Sequence, residues 1–291
     1  MQDQERPAAQ PGYRHPVGSR RVDPGLTAPA CRTATNQESE IAMNRLEGQV
    51  AWITGAGSGI GRGIALALAR EGADVILSSR RSEPLTTVAG EVEAAGRRAV
   101  IAPMDVTNRD QIDAAIARAV DQLSPVSVLV NNAGVNTPLR TATEMSVEDW
   151  DRVVDINLTG AFNCFRAVYE SMKARGEGTV INVASMAGRQ VSLLGGAAYC
   201  ASKHGMVSLT HSINLEAAEF GLRASAILPG EVKTPILKNR PQPVSEKRLS
   251  LMLTPEDIAD TVVFVLCQPA RVVIPEMWVM PAYQVSAQPF P

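Results

Sequence analysis

From Gln49 onward the chain alternates short β-branched runs with longer amphipathic stretches, and few folds accept that order. Strands that feed into helices and then into further strands must run the same way, so the alternation predicts a parallel sheet with crossover helices. Strands are expected at 50–54, 73–79, 98–104, 126–130, 178–184 and 223–229, with a last one near 275–281. Helices are expected at 60–71, 84–95, 109–122, 147–174, 197–220 and 255–267. The run VSVLV is apolar throughout, as a strand buried on both faces requires. No break in composition marks a second domain, so residues 43–291 read as one doubly wound α/β domain.

Residues 1–42 differ. They hold five prolines and much Gln, Ser and Thr, with no apolar period, a composition that cannot offset the entropy of ordering. A flexible tail is expected there. Its five arginines are matched by five acidic residues, unlike an acid-poor organelle-targeting peptide. Met43, followed by NRLEGQV, is itself a plausible start for the folded part.

A net charge of −2 lacks the basic footprint of a protein whose partner is nucleic acid or an anionic membrane, which leaves a small molecule as the expected partner. No apolar run approaches the roughly 18 residues a bilayer span needs, and the N-terminus lacks a secretory apolar core, so the cytoplasm is the expected location. Cys31, Cys164, Cys200 and Cys267 lack metal-ligand spacing and read as buried thiols, a redox switch at Cys200 being the alternative, with no metal site expected.

The first strand ends in Thr54-Gly55-Ala56-Gly57-Ser58-Gly59-Ile60-Gly61, directly before a helix. There a pyrophosphate can approach exposed N–H groups and the positive end of a helix dipole, provided no Cβ intervenes. The spacing departs from G-x-G-x-x-G, so the position after a strand and before a helix carries the argument. At the end of the second strand, where an acidic side chain would accept from a ribose hydroxyl, stands Ser79-Arg80-Arg81. A guanidinium there favours a 2′-phosphate, hence NADP(H) over NAD(H).

T-G-x-x-x-G-x-G in this position resembles the classical short-chain dehydrogenases/reductases. Asp105 in MDVT, Asn131-Asn132-Ala133-Gly134, Asn157 in DINLTG, Ser185 in INVAS, Tyr199-x-x-x-Lys203 and Pro229-Gly230 follow in that family's order, over about 46–281. The resemblance implies a Rossmann-type fold with a seven-stranded parallel sheet and helices on both faces. It also implies a nicotinamide-dependent oxidoreductase interconverting a secondary alcohol and a ketone. By the same resemblance Tyr199 is the acid/base, Lys203 also holds the nicotinamide ribose, Ser185 polarises the carbonyl, and Asn157 supports a water relaying protons to Lys203. Cofactor contacts are implied for Gly55, Ser58, Gly59, Ile60, Gly61, Ser79, Arg80, Asp105, Val106, Asn132, Ala133, Gly134, Pro229, Gly230, Val232 and Thr234. Long helices pairing across subunits into dimers or tetramers are implied as well.

The physical demand on Tyr199 is a lowered pKa. Lys203 lies one helical turn on, and a unit charge about 4 Å away at an effective dielectric near 20 is worth about 4 kcal/mol, bringing a phenol from about 10 to near 7. Ser185 and Tyr199 are 14 apart where the family more often shows 13, so the loop RQVSLLGG carries an extra residue. His204 and His211 are not needed by this chemistry and read as ordinary helix residues. The segment 231–253 reads as a lid whose Lys and Arg residues are taken mainly as solvated, an acidic or polar substrate being the alternative reading of their charge. The C-terminal stretch from Thr254 resembles a subgroup containing 3-hydroxy acid and serine dehydrogenases more than acyl-carrier ketoreductases, which makes 3-hydroxy acids one candidate among small alcohols, ketones, steroids and sugar-derived ketones. The alternative is a catalytically silent cofactor-binding scaffold or sensor of the same fold.

Overall fold

β1 (Val50–Thr54) lies in the middle of a sheet with apolar side chains leaving both of its faces. Val50 and Trp52 enter one core and Ala51 and Ile53 the other, the period-two alternation that makes both faces of a central strand apolar. The computed structural model describes residues 44–285; the expected tail over 1–42, with Cys31, lies outside the described residues.

The remaining strands are β2 (Asp74–Ser78), β3 (Ala99–Ile101), β4 (Val128–Asn131), β5 (Gly178–Val183), β6 (Leu222–Pro229) and β7 (Glu276–Val279). All pair in parallel, in the order β3-β2-β1-β4-β5-β6-β7. Only the edge strands β3 and β7 are partly exposed along their length. This is the doubly wound Rossmann-type sheet expected from the alternation.

Helices cover both faces. α1 (Gly59–Arg70) and α2 (Ser82–Ala94) pack Ile64, Leu68 and Leu85 onto the face bearing Ile53 and Leu77. α3 (Arg109–Gln122) places Ile112 on the opposite face, with Trp52 and Leu129. The Trp52 indole N–H, buried there, donates to Ser78 Oγ at 2.9 Å, so its polar atom is satisfied.

The helix expected over 147–174 is not continuous. α4 (Val147–Val154) passes through a π turn (Asp155–Thr159) into α5 (Gly160–Arg175). The widened turn carries Asn157 and delivers Gly160 against the loop after β3, where an added Cβ would lie 2.6 Å from Val106. Single π turns inside helices are frequent at functional positions.

α6 (Ala197–Ala217) ends in a short 3₁₀ turn (Ala218–Phe220). The segment after β6 contains a 3₁₀ turn (Pro235–Asn239) and the one-turn α7 (Glu246–Leu249). α8 (Pro255–Leu266) starts at a capping box, Thr254 with Asp257, and with Pro255 in its first turn. The described chain closes with β7 and α9 (Ala282–Val285). No helix among the described residues is long and apolar enough to cross a membrane.

Candidate active site

The sheet order reverses between β1 and β4, and the crevice beyond their carboxyl ends is where an open parallel sheet accepts a ligand. Thr54 and Asn132 tie those two ends together. Thr54 Oγ1 accepts from the N–H groups of Asn132 and Ala133, both at 3.0 Å. Asn132 Nδ2 donates in return to the carbonyls of Thr54, at 2.9 Å, and Gly55, at 3.2 Å.

This lock leaves no space for a side chain at Gly55 or Gly61. Gly55 has φ +64, and a Cβ on Gly61 would stand 2.4 Å from Gly55 O and 2.5 Å from Asn132 Nδ2. The first turn of α1 is thereby left bare: Ser58 caps it without a side-chain bond, and its first turn carries no acidic residue. Exposed N–H groups at a helix start with no competing carboxylate suit a phosphate.

The cradle opens into a cavity of about 1000 Å³. At one end are Ser79, Arg80 and Arg81, both arginines exposed, with Ser79 Oγ donating to Arg81 O at 2.8 Å. At the other end β5 delivers Ser185 and α6 delivers Tyr199 and Lys203.

Ser185 Oγ accepts from Ala187 N–H at 3.2 Å and stands beside the Tyr199 phenol, whose pKa it lowers. Lys203 Nζ donates to Val183 O at 2.8 Å and stands 5.7 Å from the centroid of the Tyr199 ring. Asn157, on the π turn, accepts from Val135 N–H at 2.8 Å and donates to Val135 O and Ser202 Oγ. A Cβ on Gly134 would lie 3.4 Å from Asn157 Oδ1 and 3.7 Å from Lys203 Nζ, so these two groups face one another across space kept open by a glycine.

The electrostatics differ from the expectation of a phenol near 7. Burial raises Tyr199 above its ordinary value, the nearby Ser185 hydroxyl and the Arg140 charge acting the other way. Burial also pulls Lys203 down to about 8. The Lys203 ammonium gives its hydrogen bond to the Val183 carbonyl rather than to the hydroxyl, and desolvation of the half-buried phenol outweighs what remains. At neutral pH the Tyr199 hydroxyl therefore holds its proton and is a donor.

A family model described as short chain dehydrogenase matches residues 49–244. The chain belongs to the short-chain dehydrogenase family. As such it is an oxidoreductase that works on alcohol and carbonyl groups with NAD(P). This dehydrogenase is 37% identical over 251 residues to the glycine betaine reductase of Emericella nidulans, an alignment covering 84% of this chain but 20% of that protein. It is 36% identical over 235 residues to a 3-oxoacyl-[acyl-carrier-protein] reductase of Synechocystis, covering 80% and 94% of the two chains. Among solved structures it superimposes with a TM-score of 0.74 on the alcohol dehydrogenase of the archaeon Thermococcus sibiricus complexed with 5-hydroxy-NADP, at 27% identity over 82% of this chain and 99% of that one. The chain thus spans one fifth of the fungal relative and nearly all of the other two.

Most of the residues singled out in the dehydrogenase's sequence border the one cavity: Gly55, Ser58, Gly59, Ile60, Ser79, Arg80, Asn132, Ala133, Gly134, Ser185, Tyr199, Lys203, Pro229, Gly230, Val232 and Thr234. Four do not. Gly61 supports the turn from beneath, Val106 packs on Gly160, and Asn157 sits behind Val135. Asp105 accepts from the N–H and hydroxyl of Thr107 in its own turn. His204 bonds the Cys200 carbonyl of its own helix, and His211 pairs with Glu276 at 2.6 Å. The loop before Tyr199 makes a turn on Ser192, whose hydroxyl accepts from Gly195 N–H and whose carbonyl accepts from Gly196 N–H.

Two residues on the cavity wall carry no sequence signal. Arg140 is buried, donating to Leu194 O at 2.8 Å and to Asn239 O. Glu231, also buried, accepts from Arg240 at 2.8 Å, from Arg248 at 2.9 Å and from the Tyr283 hydroxyl. Although burial pushes its carboxyl up, the bonds from Arg248, Tyr283 and Arg240 hold it below the ordinary range. Neither residue belongs to a local motif, because their partners lie on segments far apart in sequence.

Proposed function

We propose that this dehydrogenase interconverts a secondary alcohol and a ketone with NADP(H) as the preferred cofactor and Tyr199 as the proton donor and acceptor. One observation supports the reading: Ser185, Tyr199 and Lys203 line the same cavity as a glycine cradle beside two exposed arginines. The bound nicotinamide supplies or accepts the hydride.

The protein's own residues do the rest. Tyr199 O–H delivers a proton to the substrate oxygen in reduction and takes it back in oxidation. Ser185 holds the same oxygen and orients it. Lys203 holds the nicotinamide ribose and keeps a positive charge under the phenol, and Asn157 is a positioning residue that faces Lys203 across Gly134 and supports a water there. Ser58, Gly59 and Ile60 receive the pyrophosphate, and Ser79 with Arg80 receives the 2′-phosphate; the NADP derivative bound by the archaeal alcohol dehydrogenase supports this choice.

Residues 231–253 act as the lid over the site, latched by Glu231 to Arg240 and Arg248. Val147, Trp150, Phe162 and Leu215, exposed on α4, α5 and α6, supply the apolar faces of a dimer or tetramer. Cys164, Cys200 and Cys267 are free thiols, in keeping with a reducing cytoplasm.

The test is NADPH and NADH consumption by the purified protein with a panel of ketones and oxo acids. Turnover with NADPH preferred over NADH supports the reading. Tight NADPH binding with no turnover of any carbonyl compound supports the scaffold instead.

A further inference from the structure

Arg140 lies on the loop that follows β4, five residues beyond Val135. Its main-chain carbonyl accepts from Ala197 N–H at 2.9 Å, which ties it to the start of α6, two residues before Tyr199. Gly196, at φ +78, makes this approach possible, since a Cβ there would stand 2.4 Å from Arg140 O. The position of Arg140 relative to Tyr199 is thus set by backbone and not by a flexible side chain.

Its guanidinium is held from two sides. Nη1 donates to Leu194 O in the loop before Tyr199, and Nη2 to Asn239 O in the 3₁₀ turn of the lid segment. Asn136 and Asn239 reinforce the same junction, Asn136 donating to Gly195 O and Asn239 to Asn136 O. A guanidinium has five N–H donors. Two are used here, and Nε is buried with no partner.

The charge is less well matched than the hydrogen bonds. Arg140 is 5% exposed, and both groups bonded to it are neutral carbonyls. Burial and the charge of another cation, Arg240, lower its pKa, with Tyr199 acting the other way. Glu231 is the cavity's acidic side chain, and it is already shared by Arg240 and Arg248. The cavity end beside Tyr199 therefore holds three guanidinium groups against one carboxylate. An enclosed cation beside a reaction site, rigidly held with donors to spare, is what an anionic substrate group needs.

Resting on the oxidoreductase reading above, we infer that Arg140 is the specificity-determining residue for a carboxylate on the substrate, so that this dehydrogenase acts on small hydroxy acids and oxo acids in preference to neutral alcohols and ketones. Arg240 adds charge from the lid side. Carbonyl oxygen at Tyr199 and Ser185, and carboxylate at Arg140, give a two-point fit that fixes which face of the carbonyl meets the hydride.

The experiment compares 2-, 3- and 4-oxo acids with their methyl esters, NADPH being the reductant. For the best chain length the acid should exceed its ester in kcat/KM by about 30-fold, and Arg140→Met should reduce that ratio to within about threefold, with Arg140→Lys intermediate. A wild-type ratio near one overturns the inference. So does an Arg140→Met ratio equal to that of wild type, because a merely structural arginine, or one acting only through the Tyr199 phenol, lowers both substrates alike. A thermal-shift measurement on the NADPH-loaded protein with acetoacetate and methyl acetoacetate needs no turnover: stabilisation by the acid alone, lost in Arg140→Met, supports the inference even if no substrate is reduced, while equal shifts overturn it. Absence of turnover on every substrate counts against the oxidoreductase reading, and the ester comparison and the thermal shift judge Arg140 separately.

Discussion

Lys203 places its ammonium 5.7 Å from the centre of the Tyr199 ring and gives its hydrogen bond to Val183 O at 2.8 Å. The ammonium therefore lies near the ring without a direct bond to the hydroxyl. Burial raises the phenol and lowers Lys203 to about 8, so both hold protons at pH 7.

Opposite pH dependences follow for the two directions. Carbonyl reduction uses the protonated phenol and the charged lysine, so its kcat/KM should be level around neutrality and fall as Lys203 loses its proton above about pH 8. Alcohol oxidation uses the phenolate and should rise over the same range. Steady-state profiles in both directions check this, and a reduction rate climbing from pH 7 to 9 contradicts it.

The choice of cofactor rests on charge at the end of β2. Replacing Ser79 by Asp and Arg80 by Ala removes a phosphate partner and introduces an acceptor for a ribose hydroxyl. The NADPH-to-NADH ratio of kcat/KM should fall by about 100-fold. An unchanged ratio removes Ser79 and Arg80 from the cofactor site.

Gly61→Ala tests the cradle by sterics alone. The new methyl would meet Gly55 O at 2.4 Å and Asn132 Nδ2 at 2.5 Å, both held in the lock between β1 and β4. Overpacking there should cost about 1–3 kcal/mol of stability. NADPH affinity, read by fluorescence titration, should fall with it.

Glu276 joins β7 to α6 and to the loop after β5 through His211 and Arg189. Its carboxyl is held at about 2, chiefly by hydrogen bonding to Arg189 against the opposing effect of burial, with His211 adding to it. Because the folded value lies below the ordinary 4.5, the stabilisation is complete above about pH 4.5 and lost as pH falls through about 2. Glu276→Gln should lower Tm at pH 7 by about 3 °C, corresponding to about 1 kcal/mol, and remove this group's share of the acid-induced loss. Thermal melts from pH 7 to 2 provide the measurement.

The sheet and its helices were legible because burial on two faces leaves a period in each strand, as in Val50–Thr54, and because glycines cannot be replaced where backbone approaches backbone, as at Gly55 and Gly61. Tyr199, Lys203 and Ser185 were legible because short spacings place them on one helix and one strand end. Less was visible wherever the decisive partner is remote. Arg140 meets Asn239 ninety-nine residues away, and Glu231 meets Tyr283 fifty-two away. No local pattern records either. The π turn at Asp155–Thr159 keeps a helical period and so reads as unbroken helix. The phenol was misjudged for a physical reason: the four-residue spacing gives the lysine's proximity but not the depth of burial, and burial is the larger effect.

The most direct test of the central claim is the single change Tyr199→Phe, which removes one oxygen and keeps the ring. NADPH binding by fluorescence titration should stay within about threefold of wild type, whereas kcat for carbonyl reduction should fall by about 1000-fold. A Tyr199→Phe protein that binds NADPH and still reduces the same carbonyl compound at the wild-type rate would mean that the proton comes from elsewhere.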